Sequence, residues 1–590
     1  MNRITTLAAL GTMLAAGLAI PSSAAAAVSS ATIAGQTAIL NLDGADDAVT
    51  VSVSGGLLVH GQVTGGLNSG ADWDSAAAGD QTVPANGTFG VVVDGGDGND
   101  AVTVLAKTTE LTGAKLLGSA GDDVLTGADT ADSLSGGDGD DRLIGAKGSD
   151  EMAGDAGNDT LVWNNGDGTD TMDGGVGNDG AEVNGSPTAG DAFTLGPDEN
   201  PGQVKFQRTN LVPFTIHSTT ERFLVNGLGG NDTLASSDGV GARTLLSADG
   251  GVGVDSLNGS DGPDLLLGGD GNDLLDGGGG DDRIAGDRGT DTMNGGSGDD
   301  TLVWNNGDGT DVDNGDAGRD DVEVNGAPAA GDVFTVQPSG GRIRFDRTNL
   351  VPFSLDIGTS ETMHANGLGG DDAISIGEVG SYDVTAAGGS GSDLLTGGGS
   401  SATFRGGSGN DTINAGGGID AVFGDDGDDH VDVRDGTADL AVGGDGNDSG
   451  VADRKTLDTL DGFETVDRTP NATPATRPVT IRGHTVKVRR GTASIEVHCP
   501  AGSRVHCTGS LAVRTAKIVK RGGRKARLQL GSVRYDVASG ATRRLKVKLA
   551  KSSRRLADSR GHLRVVAVAS TDDASRVAHS SRHLTLALAR

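Results

Sequence analysis

Between residues 250 and 303 a large apolar side chain recurs at every ninth position, at Leu257, Leu266, Leu275, Ile284, Met293 and Leu302. Most residues between are Gly, Asp or other small and polar types. In steps of nine from Gly250 the chain reads GGVGVDSLN, GSDGPDLLL, GGDGNDLLD, GGGGDDRIA, GDRGTDTMN and GGSGDDTLV, with Gly first and fourth, Asp sixth and the apolar residue eighth. Four or five turn-forming positions per unit predict a tight corner. The last three residues leave room for a very short strand, whose eighth residue points to one face and whose neighbours point to the other. One apolar residue cannot make a core alone, so successive units must stack, and the expected product is a flattened β-solenoid.

The same period places Asp at the sixth position in three arrays. The first spans residues 118–182 and holds Asp123, Asp132, Asp141, Asp150, Asp159, Asp170 and Asp179. The second spans 227–323 and holds Asp232, Asp255, Asp264, Asp273, Asp282, Asp291, Asp300, Asp311 and Asp320. The third spans 367–451 with Asp372, Asp393, Asp411, Asp420, Asp429, Asp439 and Asp448; there Ala402 replaces one Asp, Ala415 a first Gly and Gly450 an apolar eighth residue. Asp100 stands in a match, GGDGNDAVTV, and Asp47 in a degenerate one, LDGADDAVTV, within an N-terminal β cap expected over residues 28–117. The sequence around Leu161 to Gly185 returns about 140 residues later around Leu302 to Gly326, so a segment has been duplicated. β inserts expected at 183–226 and 324–366 share Asp-Ala/Val-Phe-Thr and Arg-Thr-Asn-Leu-Val-Pro-Phe. Their alternation at Val204, Phe206 and Phe334, Val336 predicts strands packed beside the coils or closing them.

The repeated unit resembles the RTX, or haemolysin-type, calcium-binding repeat. The resemblance implies a parallel β-roll in which two units make one coil, the turns form two rows along its edges, and Ca²⁺ ions lie between turns. Physical reasoning points the same way. Coils stacked about 4.8 Å apart would bring equivalent carboxylates into like-charge pairs costing about 3 kcal/mol each at an effective dielectric of 20. The oxygen-only donors of the turns select a hard cation, and Ca²⁺ accepts six to eight oxygens where Mg²⁺ keeps its water. A calcium-free solenoid in which Asp only caps turns fits less well, because Asn or Ser would cap without repulsion.

Composition separates the chain into two objects. Among 590 residues there are 102 Gly and 3% aromatics, too few for a conventional large core, and the formal net charge is −36. From Pro470 onward 26 Lys and Arg face 5 Asp and Glu, so an acidic body precedes a basic tail. Residues 1–27, with Arg3, an apolar run and Ala24 to Ala27, read as a secretory signal peptide. No later segment approaches the ~20 apolar residues of a membrane span. Residues 452–478, including TPNATPATRP, read as a linker. Residues 479–590 alternate apolar with basic residues, the pattern of an immunoglobulin-like β-sandwich. Its Cys499 and Cys507 are expected to form a disulfide in an exported protein; a Cys/His metal site with His498 and His506 is the alternative.

No His-Glu-x-x-His helix, Gly-x-Ser-x-Gly elbow, Walker lysine or EF-hand spacing is present. The period itself accounts for the paired carboxylates. The expected protein is an all-β, non-enzymatic, secreted calcium-binding repeat protein with a surface or structural role, folding on binding several Ca²⁺ ions. Two further readings are a calcium-dependent adhesin or cytolysin and a secreted enzyme whose site lies in the inserts. The basic tail is a candidate for binding cell-envelope polyanions. It lacks the aromatic interleaving of a dedicated nucleic-acid reader.

Overall fold

The computed structural model describes residues 28–42, 44, 46–61, 83–453, 457–469, 479–483, 485–499, 506–516, 519–521, 524–526, 529–538, 541–550, 562–571 and 578–588. The expected signal peptide (1–27) and residues 454–456 and 470–478 of the expected linker lie outside the described residues. Two compact units divide between Asp467 and Arg468. Every helix or strand among the described residues is a strand.

The first unit is a parallel β-solenoid of about 19 turns. Consecutive nonapeptides alternate between two sheets, so residues 18 apart become neighbours. In the first sheet Leu116, Leu134, Met152 and Met172 stand in register on adjacent strands. In the second, Leu125, Leu143 and Leu161 do the same. The second array repeats this with Leu257, Leu275 and Met293 on one sheet and Leu266, Ile284 and Leu302 on the other. These eighth-position residues are all buried. They belong to one apolar cluster running from Ala31 to Ala452. Stacking therefore supplies the core that a single unit lacks.

The inserts are not beside the coils but inside the stack. Strand Phe214–Ser218 pairs parallel with Asp170–Asp173, then antiparallel with Val204–Arg208, which pairs antiparallel with Ala192–Pro197. Ala192–Pro197 then pairs parallel with Thr233–Ser236, and the coils resume. The second sheet passes straight from Gly180–Asn184 to Arg222–Asn226. The second copy repeats the splice with Val333–Ser339, Arg342–Arg347 and Phe353–Gly358. Alternation in these segments signals strands but not where the sheet receives them.

The first strands are likewise continuous with the solenoid. Thr37–Leu42 pairs parallel with Gly90–Asp97, and Ala48–Ser54 with Ala101–Val104. Antiparallel partners at Val28–Ala34 and Leu57–Gly61 add hairpins at this end. At the other end Thr459–Asp461 and Thr465–Asp467, expected within the linker, pair as further parallel rungs. Short strands survive the loss of the nine-residue period because backbone pairing needs no particular side chain.

One core position breaks the pattern. Asp313 occupies the eighth position where the first copy has Met172, facing Met293 on one side and Ile357 on the other. In the first copy Met172 faces Ser218. Polar and apolar partners have exchanged strands.

In the second unit, seven strands hydrogen-bond in the order Thr480–Arg482, Thr492–His498, Thr485–Arg489, Ala578–Leu588, His562–Thr571, His506–Thr515 and Gln529–Ala538. Thr542–Lys548 joins beside Thr492–His498. Thr485–Arg489 links the two halves of this path, pairing antiparallel with Thr492–His498 and parallel with Ala578–Leu588. The unit's apolar residues form one cluster, and Cys499 and Cys507 are bonded to each other within it.

Candidate metal centre

Each sixth-position Asp begins a strand, so the alternation of sheets distributes these residues over two edges. Asp132, Asp150, Asp170, Asp232, Asp255, Asp273, Asp291, Asp311, Asp372, Asp393, Asp411, Asp429 and Asp448 precede strands of the first sheet. Asp100, Asp123, Asp141, Asp159, Asp179, Asp264, Asp282, Asp300, Asp320, Asp420 and Asp439 precede strands of the second. None of these residues is more than 4% exposed, which is extreme for carboxylates at turns.

Burial follows from a hydrogen-bond ladder. The Oδ1 atom of each Asp accepts the backbone N–H of the corresponding residue one coil earlier. On the first edge Asp232, Asp255, Asp273 and Asp291 donate to Asp255, Asp273, Asp291 and Asp311 at 2.7 to 2.8 Å. On the second edge Asp100, Asp123, Asp141 and Asp159 donate to Asp123, Asp141, Asp159 and Asp179 at 2.7 to 2.9 Å. The third array continues from Asp372 through Asp393, Asp411 and Asp429 to Asp448. Ala402, which has no carboxylate, still donates its N–H to Asp420 at 2.9 Å.

The second carboxylate oxygen is left over. Buried Oδ2 atoms without a hydrogen-bond partner occur at all the sixth-position Asp residues except Asp132, Asp264 and Asp311. At Asp132 both oxygens are taken, by the N–H groups of Ala114 and Ala128 and the hydroxyl of Thr130. Asp264 accepts from the N–H and hydroxyl of Ser260. An orphaned buried acceptor costs about 1 to 3 kcal/mol, and more when charged, so a row of them requires a partner.

The glycines show what surrounds these atoms. A Cβ on the first Gly of a unit, such as Gly118, would collide with Oδ2 of Asp123 and the carbonyl oxygen of Gly136 in the next coil. At the fourth position Gly139 has φ +137° and would collide with the carbonyl oxygen of Gly121. Gly118 is therefore required for space, and Gly139 for conformation and space together. Carboxylate and carbonyl oxygens from adjacent coils crowd one another at both edges.

Electrostatics agrees in direction and corrects the cause. Asp141, Asp150, Asp282 and Asp291 are pushed up to about 8, first by burial and then by neighbouring carboxylates, against the lowering effect of the backbone N–H each accepts. Asp100, Asp170, Asp232, Asp372, Asp420 and Asp429 rise to about 7, again with burial leading. Like-charge repulsion, placed first by sequence reasoning, is secondary to desolvation.

These residues fit Ca²⁺. The orphaned donors are carboxylate oxygens amid carbonyl oxygens, and no Cys or His stands in the repeat turns. Among the described residues no three His, Cys, Asp or Glu side chains converge on one point, so any ion here draws most of its ligands from backbone carbonyls. Bound Ca²⁺ would supply positive charge to the orphaned oxygens and cross-link successive coils.

Sequence reasoning missed several ladder members. Glu221, Glu361 and Glu464 accept the N–H groups of Asp179, Asp320 and Asp448 where the nine-residue phase ends. Asp458 accepts that of Asp439 at 3.4 Å. Asp191 and Asp332 are buried first-edge members whose N–H groups donate to Asp232 and Asp372. Extra residues in their turns take them out of phase, although each opens the Asp-Ala/Val-Phe-Thr motif. An exposed second row also exists: at the fifth position Asp122 and Asp140 accept N–H groups from Asp140 and Asn158.

A parallel β-solenoid with two edges of buried, unpartnered carboxylate oxygens defines a calcium-binding repeat protein. The RTX calcium-binding nonapeptide repeat family model matches residues 115–141, 126–161, 249–284, 267–302, 276–311 and 405–437. The chain carries RTX calcium-binding repeats. No curated protein matches it.

Proposed function

We propose that this chain is an extracellular, non-enzymatic structural or surface protein whose solenoid folds on binding several Ca²⁺ ions. The observation that carries the reading is the row of buried Oδ2 atoms with no hydrogen-bond partner. Without metal those atoms oppose folding at neutral pH; with metal they join coil to coil. Extracellular calcium is in the range where such modules bind, about 10⁻⁴ to 10⁻³ M. Far-UV circular dichroism of the full chain tests this: strand content should be low in chelator and rise in millimolar calcium. Equal strand content in both conditions overturns the reading.

The basic unit would hold the protein to anionic polymers of a cell envelope. A cavity of about 640 Å³ opens between strands Gln529–Ala538 and Thr542–Lys548, lined by Arg534, Arg543, Arg544, Lys546 and Tyr535 among others. Arg544 is paired with Glu496, but no carboxylate pairs with Arg534 or Lys546 among the described residues. Retention on immobilised polyphosphate that falls steeply with salt, and falls further in the double variant Arg534→Ala/Lys546→Ala, would support this role. Retention unchanged by both would exclude it.

A further inference from the structure

At two points on the first edge the residues do not fit a metal ion, because the protein already has a cation there. The splice separates the strand that follows Asp170 from the one that follows Asp191 by the two hairpin strands Phe214–Ser218 and Val204–Arg208. Three strand steps of about 4.8 Å put these rungs about 14 Å apart, too far for one ion to bridge. Arg208 ends the strand beside Ala192–Pro197, and its side chain is 1% exposed. Its Nη1 donates to Asp191 Oδ1 at 3.0 Å and to Asn165 Oδ1 at 2.8 Å, and its Nε donates to the carbonyl of Val212 at 3.0 Å. Asp191 Oδ2 accepts the N–H of Ser186 at 2.7 Å. Unlike most ladder carboxylates, Asp191 has no orphaned oxygen.

The second copy repeats the arrangement with one difference: Asp332 Oδ1 is buried without a hydrogen-bond partner and faces its arginine only as an ion pair. Arg347 Nη1 donates to Asn306 Oδ1 at 2.8 Å and lies 3.4 Å from Asp332 Oδ1 as an ion pair without a hydrogen bond; Nε donates to the carbonyl of Val351 at 3.0 Å. Asp332 Oδ2 accepts the N–H of Ala327. Each guanidinium also lies against a stacked aromatic pair: Arg208 is 5.2 and 5.1 Å from the ring centres of Trp163 and Phe214, and Arg347 is 5.5 and 5.4 Å from Trp304 and Phe353.

We propose that Arg208 and Arg347 replace Ca²⁺ at these two steps, making each splice a metal-independent island from which the calcium-bound coils extend. A guanidinium stays charged at any accessible pH and forks to several acceptors, so it supplies permanently what the other steps take from solution. The islands also have cores of their own. Phe206 packs against Phe193, Phe214 and Phe223, and Phe345 against Phe334 and Phe353. An ordinary coil of the second array relies on the eighth-position residue of each nonapeptide and has no aromatic cluster. A chain that must acquire many ions gains two pre-formed islands, each with coils to extend on both sides.

This inference rests on calcium-driven folding of the coils, and two measurements on the full chain separate the two ideas. The first is hydrogen exchange in chelator and in calcium. In chelator, amides of Val204–Arg208, Phe214–Ser218, Arg342–Arg347 and Phe353–Gly358 should exchange at least tenfold more slowly than those of the coils between residues 256 and 303; in calcium both should be protected. Equally fast exchange in the splices and the coils in chelator overturns the islands. Coils that stay protected in chelator overturn calcium-driven folding instead, and the arginine assignment then stands or falls on the second measurement, calcium bound per folded chain. Asp191→Asn and Asp332→Asn should bind the same number of ions as the parent, whereas Asp273→Asn should bind fewer. A lower count in the Asp191→Asn or Asp332→Asn chain shows that metal does occupy those steps.

Discussion

Asp291 accepts the backbone N–H of Asp273 at 2.8 Å through Oδ1, while its Oδ2 is buried with no hydrogen-bond partner. One oxygen holds the coil together and the other calls for a cation. Asp291→Asn keeps the first function and removes the charge from the second. In calcium the variant should be destabilised by about 3 to 5 kcal/mol, the range for breaking a buried charge pair, and its folding transition should move to higher calcium. A calcium titration followed by circular dichroism checks this; an unchanged midpoint would mean Oδ2 holds no metal.

Acid should partly substitute for calcium. An unfolded Asp titrates near 3.9, whereas in the metal-free fold Asp141, Asp150, Asp282 and Asp291 titrate at about 8, mainly because they are buried. A raised folded value means the folded state holds protons that the unfolded chain has lost. The metal-free solenoid is therefore most stable below about pH 4 and weakens as pH rises from there through 8. In chelator, strand content should increase on going from pH 8 to pH 4. In calcium, the metal needed for half-folding should increase as pH falls, because protons compete for the same oxygens. Strand content in chelator that is greatest at pH 8 contradicts this assignment.

Glycines should differ sharply in tolerance. Gly139→Ala forces a Cβ into the carbonyl oxygen of Gly121 at φ +137°, whereas Gly35→Ala, at φ +65°, meets nothing within 4 Å. The Gly35 variant should lose about 1 kcal/mol from backbone strain. The Gly139 variant should lose several kcal/mol and bind less calcium. Thermal denaturation in calcium compares them, and similar losses would show that close coil approach is not what requires glycine.

Asp313 is a defect that can be repaired. Neither of its oxygens has a hydrogen-bond partner, and burial holds it well above the usual carboxylate range. Asp313→Leu restores an apolar residue between Met293 and Ile357 and should stabilise the calcium-loaded chain by about 1 to 3 kcal/mol. A lower melting temperature in the variant would reveal a partner for Asp313 inside the core.

The coils were legible because period and chemistry coincide: Leu275 and Asp273 recur with fixed phase, and stacking is the only way to bury a residue such as Leu275. The splices were not, because the alternation at Val204 and Phe206 reads the same whether a hairpin lies on a coil or within its sheet. Asp191 loses its phase to additional turn residues, and nothing in the shared Arg-Thr-Asn-Leu-Val-Pro-Phe motif marks Arg208 as the buried cation it is. Sequence also ranked repulsion above burial. The depth of Asp141 depends on the N–H of Asp123, a bond with the preceding coil that no linear pattern displays. In the basic unit, strand alternation at Ile495 and Val497 predicts an inward face, and both side chains are buried.

The most direct test is the size of the metal-free chain. Purified protein, dialysed against chelator at pH 7.5 and shown by elemental mass spectrometry to contain no calcium, would be measured by small-angle X-ray scattering before and after addition of millimolar calcium. The account predicts an expanded chain that contracts on calcium addition, with several ions bound per molecule. A chain already compact without metal, and unchanged by calcium, would contradict it.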